Sequence, residues 1–447
     1  MTMNDFLMEF LINLSSKINK QSFLESAESI GNQLCEEAIW YKNCCNWVGK
    51  YVPAQEPTSN PEDVLVITHA LSPELYEGSS GIAYFLTQLY LVTKNEKYKK
   101  TAEGAIIQSL SNYKKIPSFE HYGFYSGKIG IAYAGIKIGI EIQNSSITEK
   151  AKTILYDVLQ EKPTTYQLDI MSGYAGSIPA LIELSDLLNE KKILDFAIAL
   201  GNELISKKQI EQTGWSWGIG EVGTAAEFTQ NLTGHSHGSS GVGYSLLELY
   251  KKTKDEKFKH AAENAFVYTN SWYSEKEKNW PDLRGLDETT TQTGDELPYG
   301  YSWCHGSPGV CLDLMQANLI LKTEKYQKYV NAALNKIQSF ITSKDYLTMD
   351  DYSLCHGFGG LCDPLILASD IQRDDSLKSL PEQIGMQGIE NYLKKNESWP
   401  CGYLTDGTPT LMCGLAGIGY FYLRLYDSKK IPSILFLTPL LQTSGSP

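Results

Sequence analysis

Two short segments of the chain place a cysteine directly before a histidine and a glycine turn. They read CHGSPG at residues 304–309 and CHGFGG at 355–360, while a third, SHGSSG at 236–241, keeps the histidine but begins with serine. Thiolate and imidazole are ligands that zinc takes in tetrahedral sites, and three protein ligands leave the fourth position open for a substrate. Taken singly, each cysteine is better explained as a buried thiol beside a capping histidine. Taken as a set at matching places, they favour a metal site.

The glycine turns belong to a longer repeat. A Gly-x-x-Gly element followed by an apolar run of helical period occurs at Gly78/Gly81, Gly127/Gly130, Gly173/Gly176, Gly238/Gly241, Gly306/Gly309, Gly357/Gly360 and Gly414/Gly417. After the first of these, Ile82, Phe85 and Leu89 share one helix face. A polar turn and a second helical stretch complete each unit. Repeated helix pairs predict an array, which either stays an open solenoid or closes into a ring.

The positions of the reactive side chains within the repeat bring them together. Cys304 and Cys355 lie two residues before the first glycine of their repeats, and His237, His305 and His356 lie one residue before it. In a closed ring, equivalent positions face one central region, and glycine allows the tight turn needed there.

Two further side chains near these positions carry a weaker signal. Cys413 holds the place of the histidines in the last repeat, which could bring it towards the metal, but we expect it to be structural. His235 precedes His237 by two residues, and we expect it at a solvated rim.

Length, charge and cysteine content narrow the class of protein. The repeats run from about residue 75 to 425 of 447, which favours one repeat-built domain. With a net charge of −13 and no basic patch, a nucleic-acid partner is not expected. No window of about 20 apolar residues predicts a membrane span, and the first 18 residues lack the features of a signal peptide. An odd number of cysteines, nine, argues against a disulfide framework and favours a cytoplasmic protein.

At these motifs the chain resembles a known family. SWCHGSPG at residues 302–309 and LCHG at 354–357 resemble the two zinc motifs of the lanthionine synthetase C-like cyclases, which close the thioether rings of lanthipeptides. SHG at 236–238 resembles their histidine-glycine motif. The resemblance, from about Leu75 to Tyr426, implies an all-α fold: an (α/α)7 double toroid of seven inner and seven outer helices with zinc at one end.

The same resemblance sets the expected boundaries. We expect residues 1–70 to form an N-terminal helical segment that packs on the ring and residues 71–428 to form the toroidal cyclase domain. Small inserted elements are expected around 183–235 and 273–300, and residues 429–447 form a C-terminal tail.

Carried over position by position, the resemblance implies one Zn²⁺ per chain, bound by Cys304, Cys355 and His356. His237 and Asp169 match a histidine and an aspartate that the family places close to the metal.

Two positions differ among the relatives. His305 stands where many bacterial cyclases have tyrosine and other relatives have histidine. Some cyclases carry an arginine, paired to the aspartate, four residues before the first zinc cysteine, where this chain has Gly300. Either another cation orients Asp169, or the role of Asp169 is looser here.

The implied reaction is an intramolecular Michael-type addition of peptide cysteine thiols to dehydroalanine or dehydrobutyrine, which forms (methyl)lanthionine. A free thiol has a pKa of about 8.5, so it needs activation at neutral pH. Attack produces an enolate that needs a proton from a positioned acid, and histidine suits this role. We assign His237 as the donor, with His305 as its competitor and Asp169 as the residue that orients an imidazole or relays the thiol proton. Asp169 is also explained as a simple turn cap.

The implied partners are a dehydrated precursor peptide with its leader, a separate dehydratase and a peptide exporter. A complex of this kind would bring the cytoplasmic enzyme to the membrane surface. The long loops Thr213–Thr233 and Trp280–Tyr299 are expected to help hold the peptide.

Two rival functions stay open at this stage. A glycosidase on a helical toroid needs paired carboxylates, and Asp169 is the only one that we place just before a motif glycine. The other rival is a lanthionine synthetase C-like zinc protein that binds glutathione or peptide without cyclase activity, which the presence of Asp169 and His237 disfavours.

Overall fold

The computed structural model describes residues 19–51, 66–161, 166–218, 230–286, 297–343, 350–401 and 407–437. Within these ranges the chain forms 14 α-helices and three small two-stranded antiparallel sheets. The first 18 residues, parts of both long loops (219–229 and 287–296) and the end of the tail (438–447) lie outside the described residues.

Seven helices form an inner ring, and each begins directly after the first glycine of a repeat. They are α2 (Ser79–Thr93), α4 (Lys128–Glu141), α6 (Tyr174–Leu188), α8 (Ser239–Thr253), α10 (Ser307–Leu321), α12 (Phe358–Gln372) and α14 (Leu415–Asp427). Each packs on the next, and the last, α14, packs on the first, α2. The ring is therefore closed, and the open-solenoid alternative is wrong.

Seven helices form an outer layer. They are α1 (Lys20–Glu37), α3 (Glu96–Asn112), α5 (Ser145–Gln160), α7 (Lys191–Ser206), α9 (Glu256–Ser271), α11 (Gln327–Ile341) and α13 (Ser379–Gly388). Each outer helix except α1 follows its inner partner in the chain and packs on it. Helix α1 instead packs on α14, so the N-terminal part of the chain supplies the outer partner of the last inner helix. The prediction of a seven-repeat α/α toroid is confirmed.

The turns between inner and outer helices explain the polar segments of the repeat. Lys94 and Lys254 end their inner helices in the left-handed conformation, with φ of 58° and 60°. The next residues, Asn95 and Asp255, cap the outer helices by accepting hydrogen bonds from backbone N–H groups two residues later, at 3.0 and 3.1 Å. Such caps supply partners for the free N–H groups of the first helical turn.

The second glycine of each Gly-x-x-Gly element is needed for close backbone contact. A methyl group there would overlap the carbonyl oxygen of the residue six positions earlier, in all seven repeats. Any other residue would push the preceding loop away from the inner helix. The pattern is therefore required by the packing of loop on helix.

The loops before the inner helices form a continuous circle of backbone hydrogen bonds. From Tyr76 N to Tyr125 O (2.9 Å) the bonds pass through all seven repeats and return from Met412 N to Tyr76 O (3.0 Å). The residues joined in this way are Tyr76, Tyr125, Met171, Ser236, Cys304 (with Trp303), Cys355 and Met412. The residue two positions before the first glycine therefore lies at the same height along the ring axis in every repeat.

The apolar segment of residues 431–437 is buried against the inner helices and their loops. Ile434 and Leu435 are 1% and 2% exposed. The Tyr125 hydroxyl donates to Ile434 O and the Trp303 indole N–H donates to Leu435 O, both at 2.9 Å. Because Trp303 precedes Cys304, this segment supports the loop that carries the first zinc-motif cysteine.

Two of the three small sheets pack on outer helices, the first on α3 and the third on α9. Strands β1 (Ile39–Tyr41) and β2 (Cys44–Asn46) follow α1, β3 (Val48–Tyr51) pairs with β4 (Ile67–Ala70), and β5 (Gln209–Glu211) pairs with β6 (Gly214–Ser216) after α7. In the part of the chain that the structure describes, no helix has the length and apolar character to cross a membrane.

Candidate functional site

The repeat positions singled out from the sequence meet at one end of the ring, at the N-termini of the inner helices. Cys304 and Cys355 come from the fifth and sixth repeats and are 4% and 2% exposed, while His356 is exposed. The backbone N–H of Trp303 donates a hydrogen bond to Cys355 O at 3.2 Å, which holds the two loops side by side.

The three predicted metal ligands form a compact group. The two sulfur atoms and one ring nitrogen of His356 all lie within 4.8 Å of one another, and Cys355 Sγ is 3.5 Å from His356 Nε2. Zinc bonds of about 2.3 Å to sulfur and 2.0–2.1 Å to nitrogen in a tetrahedron place donor atoms about 3.5–3.8 Å apart. Donor chemistry and spacing therefore both fit zinc.

The charges of the group also suit a cation. A hydrogen bond from the Cys355 thiol, opposed by burial, holds the pKa of Cys304 well below its ordinary value. Burial alone would lower the pKa of His356, but hydrogen bonds and charge interactions with the Cys304 and Cys413 sulfurs raise it to about 11. A buried thiolate is stable only next to positive charge, which the His356 imidazolium supplies here and which a bound cation would supply in its place.

Beside the sulfur atoms, His237 and Asp169 form a tight pair. His237 Nδ1 is 2.6 Å from Asp169 Oδ2, and the other oxygen of Asp169 accepts a hydrogen bond from Ser172 N at 2.8 Å. The aspartate side chain is 1% exposed and the histidine side chain 28% exposed. Asp169 is thus both a turn cap and an imidazole partner, and the engaged Nδ1 leaves Nε2 of His237 as the nitrogen that can exchange a proton with a substrate.

His305 lies next to this pair but is buried. Its ring is 5.7 Å from that of His237, with the planes 29° apart, and its side chain is 3% exposed. Burial lowers the pKa of His305 to about 4. Its Nε2 is buried without a hydrogen-bond partner among the described residues, and its Nδ1 is 3.7 Å from Asp282 Oδ1.

Asp282 and Arg284 were not predicted as site residues. The Arg284 guanidinium bonds both oxygens of Asp282 at 2.7 to 3.1 Å. Arg284 also interacts electrostatically with the Cys304 and Cys355 sulfurs, and Asp282 raises its pKa against the effect of burial. Both residues come from the predicted peptide-holding loop Trp280–Tyr299, whose composition gave no signal for this arrangement.

A second carboxylate before a motif glycine was overlooked. Glu77 directly precedes Gly78, the position that the histidines occupy in later repeats. Burial, with the charges of Cys413 and Glu74, raises the pKa of Glu77 to about 7, while His356 lowers it. The statement that Asp169 is the only such carboxylate is therefore wrong, and the repeat alignment alone would have found Glu77.

One other expectation needs correction. His235 is not a rim residue: it is 1% exposed, and its Nδ1 lies 2.8 Å from Asp313 Oδ1 within the ring. Among the described residues no lysine or arginine forms an ion pair with Asp169, whose ionic partner is His237. In place of the arginine of some cyclases, Gly300 offers its carbonyl to Asn279 Nδ2 at 3.0 Å.

A closed ring of seven helix pairs with a Cys-Cys-His group at one end defines the class of this protein. The chain belongs to the lanthionine synthetase C-like protein family, whose profile matches residues 69–436.

Two proteins of Lactococcus lactis subsp. lactis are similar to this chain in sequence. The lacticin 481/lactococcin biosynthesis protein LcnDR2 is 26% identical over 384 residues, which are 82% of this chain and 37% of LcnDR2. The nisin biosynthesis protein NisC is 22% identical over 348 residues, 71% of this chain and 79% of NisC. The solved structure of nisin cyclase has a TM-score of 0.60 at 17% identity, covering 80% of this chain and 89% of the cyclase. This chain therefore shares its fold with nisin cyclase and spans little more than a third of LcnDR2.

Proposed function

We propose that this protein is a zinc-dependent lanthipeptide cyclase. It would add peptide cysteine thiols to dehydroalanine or dehydrobutyrine within the same peptide and so form (methyl)lanthionine rings. The observation that carries the proposal is the placement of the Cys304, Cys355 and His356 donor group next to the His237–Asp169 pair, at one end of the ring.

Cys304, Cys355 and His356 would hold the ion. In that site zinc would supply thiol activation, because a substrate thiol bound to it would lose its proton far below the ordinary pKa of about 8.5. The buried cysteines fix two donors, and the exposed His356 leaves one side of the group open to a peptide. Arg284 interacts with both sulfurs, and its ion pair with Asp282 holds it in place.

His237 would supply the proton that completes the addition. The substrate sulfur forms a bond to the β-carbon, and the electron pair of the double bond moves to the α-carbon as an enolate. His237 Nε2–H then protonates the α-carbon, while Asp169 stabilises the imidazolium through Nδ1–H. The proton released by the thiol restores the imidazolium, so the net change is addition of S–H across C=C.

Geometry favours His237 over His305 as the donor. His237 has a carboxylate at 2.6 Å and is partly exposed, whereas His305 is 3% exposed and lies 3.7 Å from its carboxylate neighbour Asp282. His305 would instead remain uncharged and pack beside the ring of His237.

The partners follow from the reaction. The substrate is a precursor peptide already dehydrated at serine or threonine, with its leader attached. We propose that a separate dehydratase supplies this peptide and that an exporter takes the product. The names of LcnDR2 and NisC, both biosynthesis proteins, support a place in such a pathway.

The test measures zinc content and thiol loss together. Purified wild type should contain about one zinc per chain and consume the thiols of a dehydrated, cysteine-containing peptide. Cys304→Ala should lose both, while Cys35→Ala, a partly buried cysteine in α1, should keep both. Zinc without thiol loss on several dehydrated peptides would favour a zinc protein that binds glutathione or peptide without cyclising it. Freshly prepared wild type without zinc would overturn the site.

A further inference from the structure

The two nitrogens of His356 face different groups. Nε2 is 3.5 Å from Cys355 Sγ, on the side of the metal-ligand group, and Nδ1 is 3.9 Å from Cys413 Sγ. Cys413 Sγ is in turn 3.3 Å from the Tyr76 hydroxyl, to which its thiol donates. The sulfur can accept from Nδ1–H while its own hydrogen points to Tyr76, so the three groups form a hydrogen-bond relay.

We propose that Cys413 and Tyr76 are positioning residues that hold His356 in the tautomer and ring orientation needed to bind zinc through Nε2. A metal-binding histidine usually donates its other N–H to a fixed acceptor, which sets the tautomer and makes the ligating nitrogen more basic. Here a thiol takes the place of the usual carboxylate or carbonyl. The inference rests on the proposed zinc site.

The position of Cys413 favours this role over that of a fourth metal ligand. Its sulfur lies beside Nδ1 of His356, whereas that of Cys355 lies beside Nε2. Although Cys413 also hydrogen-bonds Cys355, the donor group within 4.8 Å comprises Cys304, Cys355 and His356 in the part of the chain that the structure describes. A fourth protein ligand would also close the coordination position that a substrate thiol requires.

The relay crosses the place where the ring closes. Tyr76 belongs to the first repeat, His356 to the sixth and Cys413 to the seventh. Backbone bonds fix the three loops: Cys355 N donates to Met412 O at 2.9 Å and Met412 N donates to Tyr76 O at 3.0 Å. The distance between Cys413 and His356 is thus set by ring closure, and correct closure of the chain becomes a condition for tight metal binding.

The experiment compares zinc affinity by competition with a chromophoric chelator for wild type, Cys413→Ala, Tyr76→Phe and the control Cys44→Ala, a partly buried cysteine in β2. Loss of an outer partner of a ligating histidine typically weakens metal binding about 10–100-fold. We expect a fall of this size for Cys413→Ala, a smaller fall for Tyr76→Phe and none for Cys44→Ala, with one zinc per chain throughout.

Cobalt substitution separates the outer role from direct ligation. The thiolate-to-cobalt absorption of Cys413→Ala should match that of wild type, because two cysteine ligands remain. A drop of about one third in that absorption would identify Cys413 as a ligand and overturn the proposal, as would an affinity within two-fold of wild type. Wild type that binds no zinc would instead show that the proposed function itself is wrong.

Discussion

His237 Nδ1 lies 2.6 Å from Asp169 Oδ2, although the two residues belong to neighbouring repeats and are 68 positions apart. The loop bond from Met171 N to Ser236 O, at 3.3 Å, holds these repeats in register. The pair is therefore built by the ring itself: each partner lies just before an inner helix, and the circle of backbone bonds brings the two side chains together.

If Asp169 acts only through His237, the effects of replacing the two residues should not add. We expect His237→Asn to slow ring closure by about 10²–10⁴-fold, the usual contribution of a positioned acid. Asp169→Asn should slow it less, and the double variant should be no slower than His237→Asn alone. Rates are measured by mass spectrometry of alkylated peptide, with zinc content as the check on folding. An additive double variant would mean that Asp169 has an independent role, such as relaying the thiol proton.

The repeat pattern was readable from the sequence because each inner helix needs both glycines, whereas closure of the array into a ring was expected only from the family resemblance. The second glycine avoids overlap with a carbonyl in every repeat, so the signal recurs without exception. The sequence pattern did not predict which outer helix packs on α14. Helix α1 lies nearly 400 residues away in the chain, and no local pattern records a contact over that distance.

The site was only partly predictable for a similar reason. Position in the repeat placed Cys304, Cys355, His356 and His237 in one region, but it could not show that His235 is buried. That burial depends on Asp313, which lies in α10 and pairs with His235 inside the ring. Arg284 comes from a segment outside the repeat, where position carries no information.

Glu120 should make folding less favourable as the pH rises. Burial and the nearby charges of Glu74 and Asp169 raise the pKa of Glu120 to about 7. An unfolded glutamate titrates near 4.3, so between about pH 4.3 and 7 the unfolded chain loses this proton before the folded chain does, and stability falls across that window. Glu120→Gln removes the effect. We expect its thermal midpoint to exceed that of wild type by a few degrees at pH 8 and to match it near pH 4.5.

The control for this prediction is Glu324→Gln, an exposed glutamate in the turn before α11. Because the Glu324 side chain is exposed, this replacement tests whether loss of a glutamate charge alone changes the midpoint. A Glu120→Gln variant that follows the wild-type midpoint at every pH would show that Glu120 titrates normally.

Gly306 should tolerate no side chain. It has φ of +94°, and a methyl group there would overlap the carbonyl of Gly300. Gly306→Ala therefore combines backbone strain of about 1–3 kcal/mol with a clash beside Cys304, and we expect loss of both stability and zinc affinity. Gly285→Ala is the matched control, since Gly285 has φ of +67° with nothing within 4 Å of the added atom. It should cost about 1–2 kcal/mol and leave zinc affinity unchanged. Equal zinc affinities for the two variants would contradict the clash.

The buried ion pair between Arg424 and Asp363 should stabilise the contact between the last two inner helices. Arg424 Nε and Nη2 donate to Asp363 Oδ1 at 3.1 and 2.9 Å, and Arg424 Nη1 donates to Ile431 O at 2.9 Å, next to the buried tail. Arg424→Met leaves Asp363 buried and unpaired, which costs about 3–5 kcal/mol. Adding Asp363→Asn removes the stranded charge and should recover part of that loss.

Lys430 and Asp427 provide the comparison for this pair. Their side chains are 3.1 Å apart, but Lys430 is 81% exposed, so Lys430→Met should cost less than about 1 kcal/mol. Urea unfolding of the four proteins measures the differences. If Arg424→Met were no less stable than Lys430→Met, the pair would not stabilise the contact between α12 and α14. If the double variant recovered no stability, the loss would come from the broken hydrogen bonds between Arg424 and the tail carbonyls rather than from the unpaired charge of Asp363.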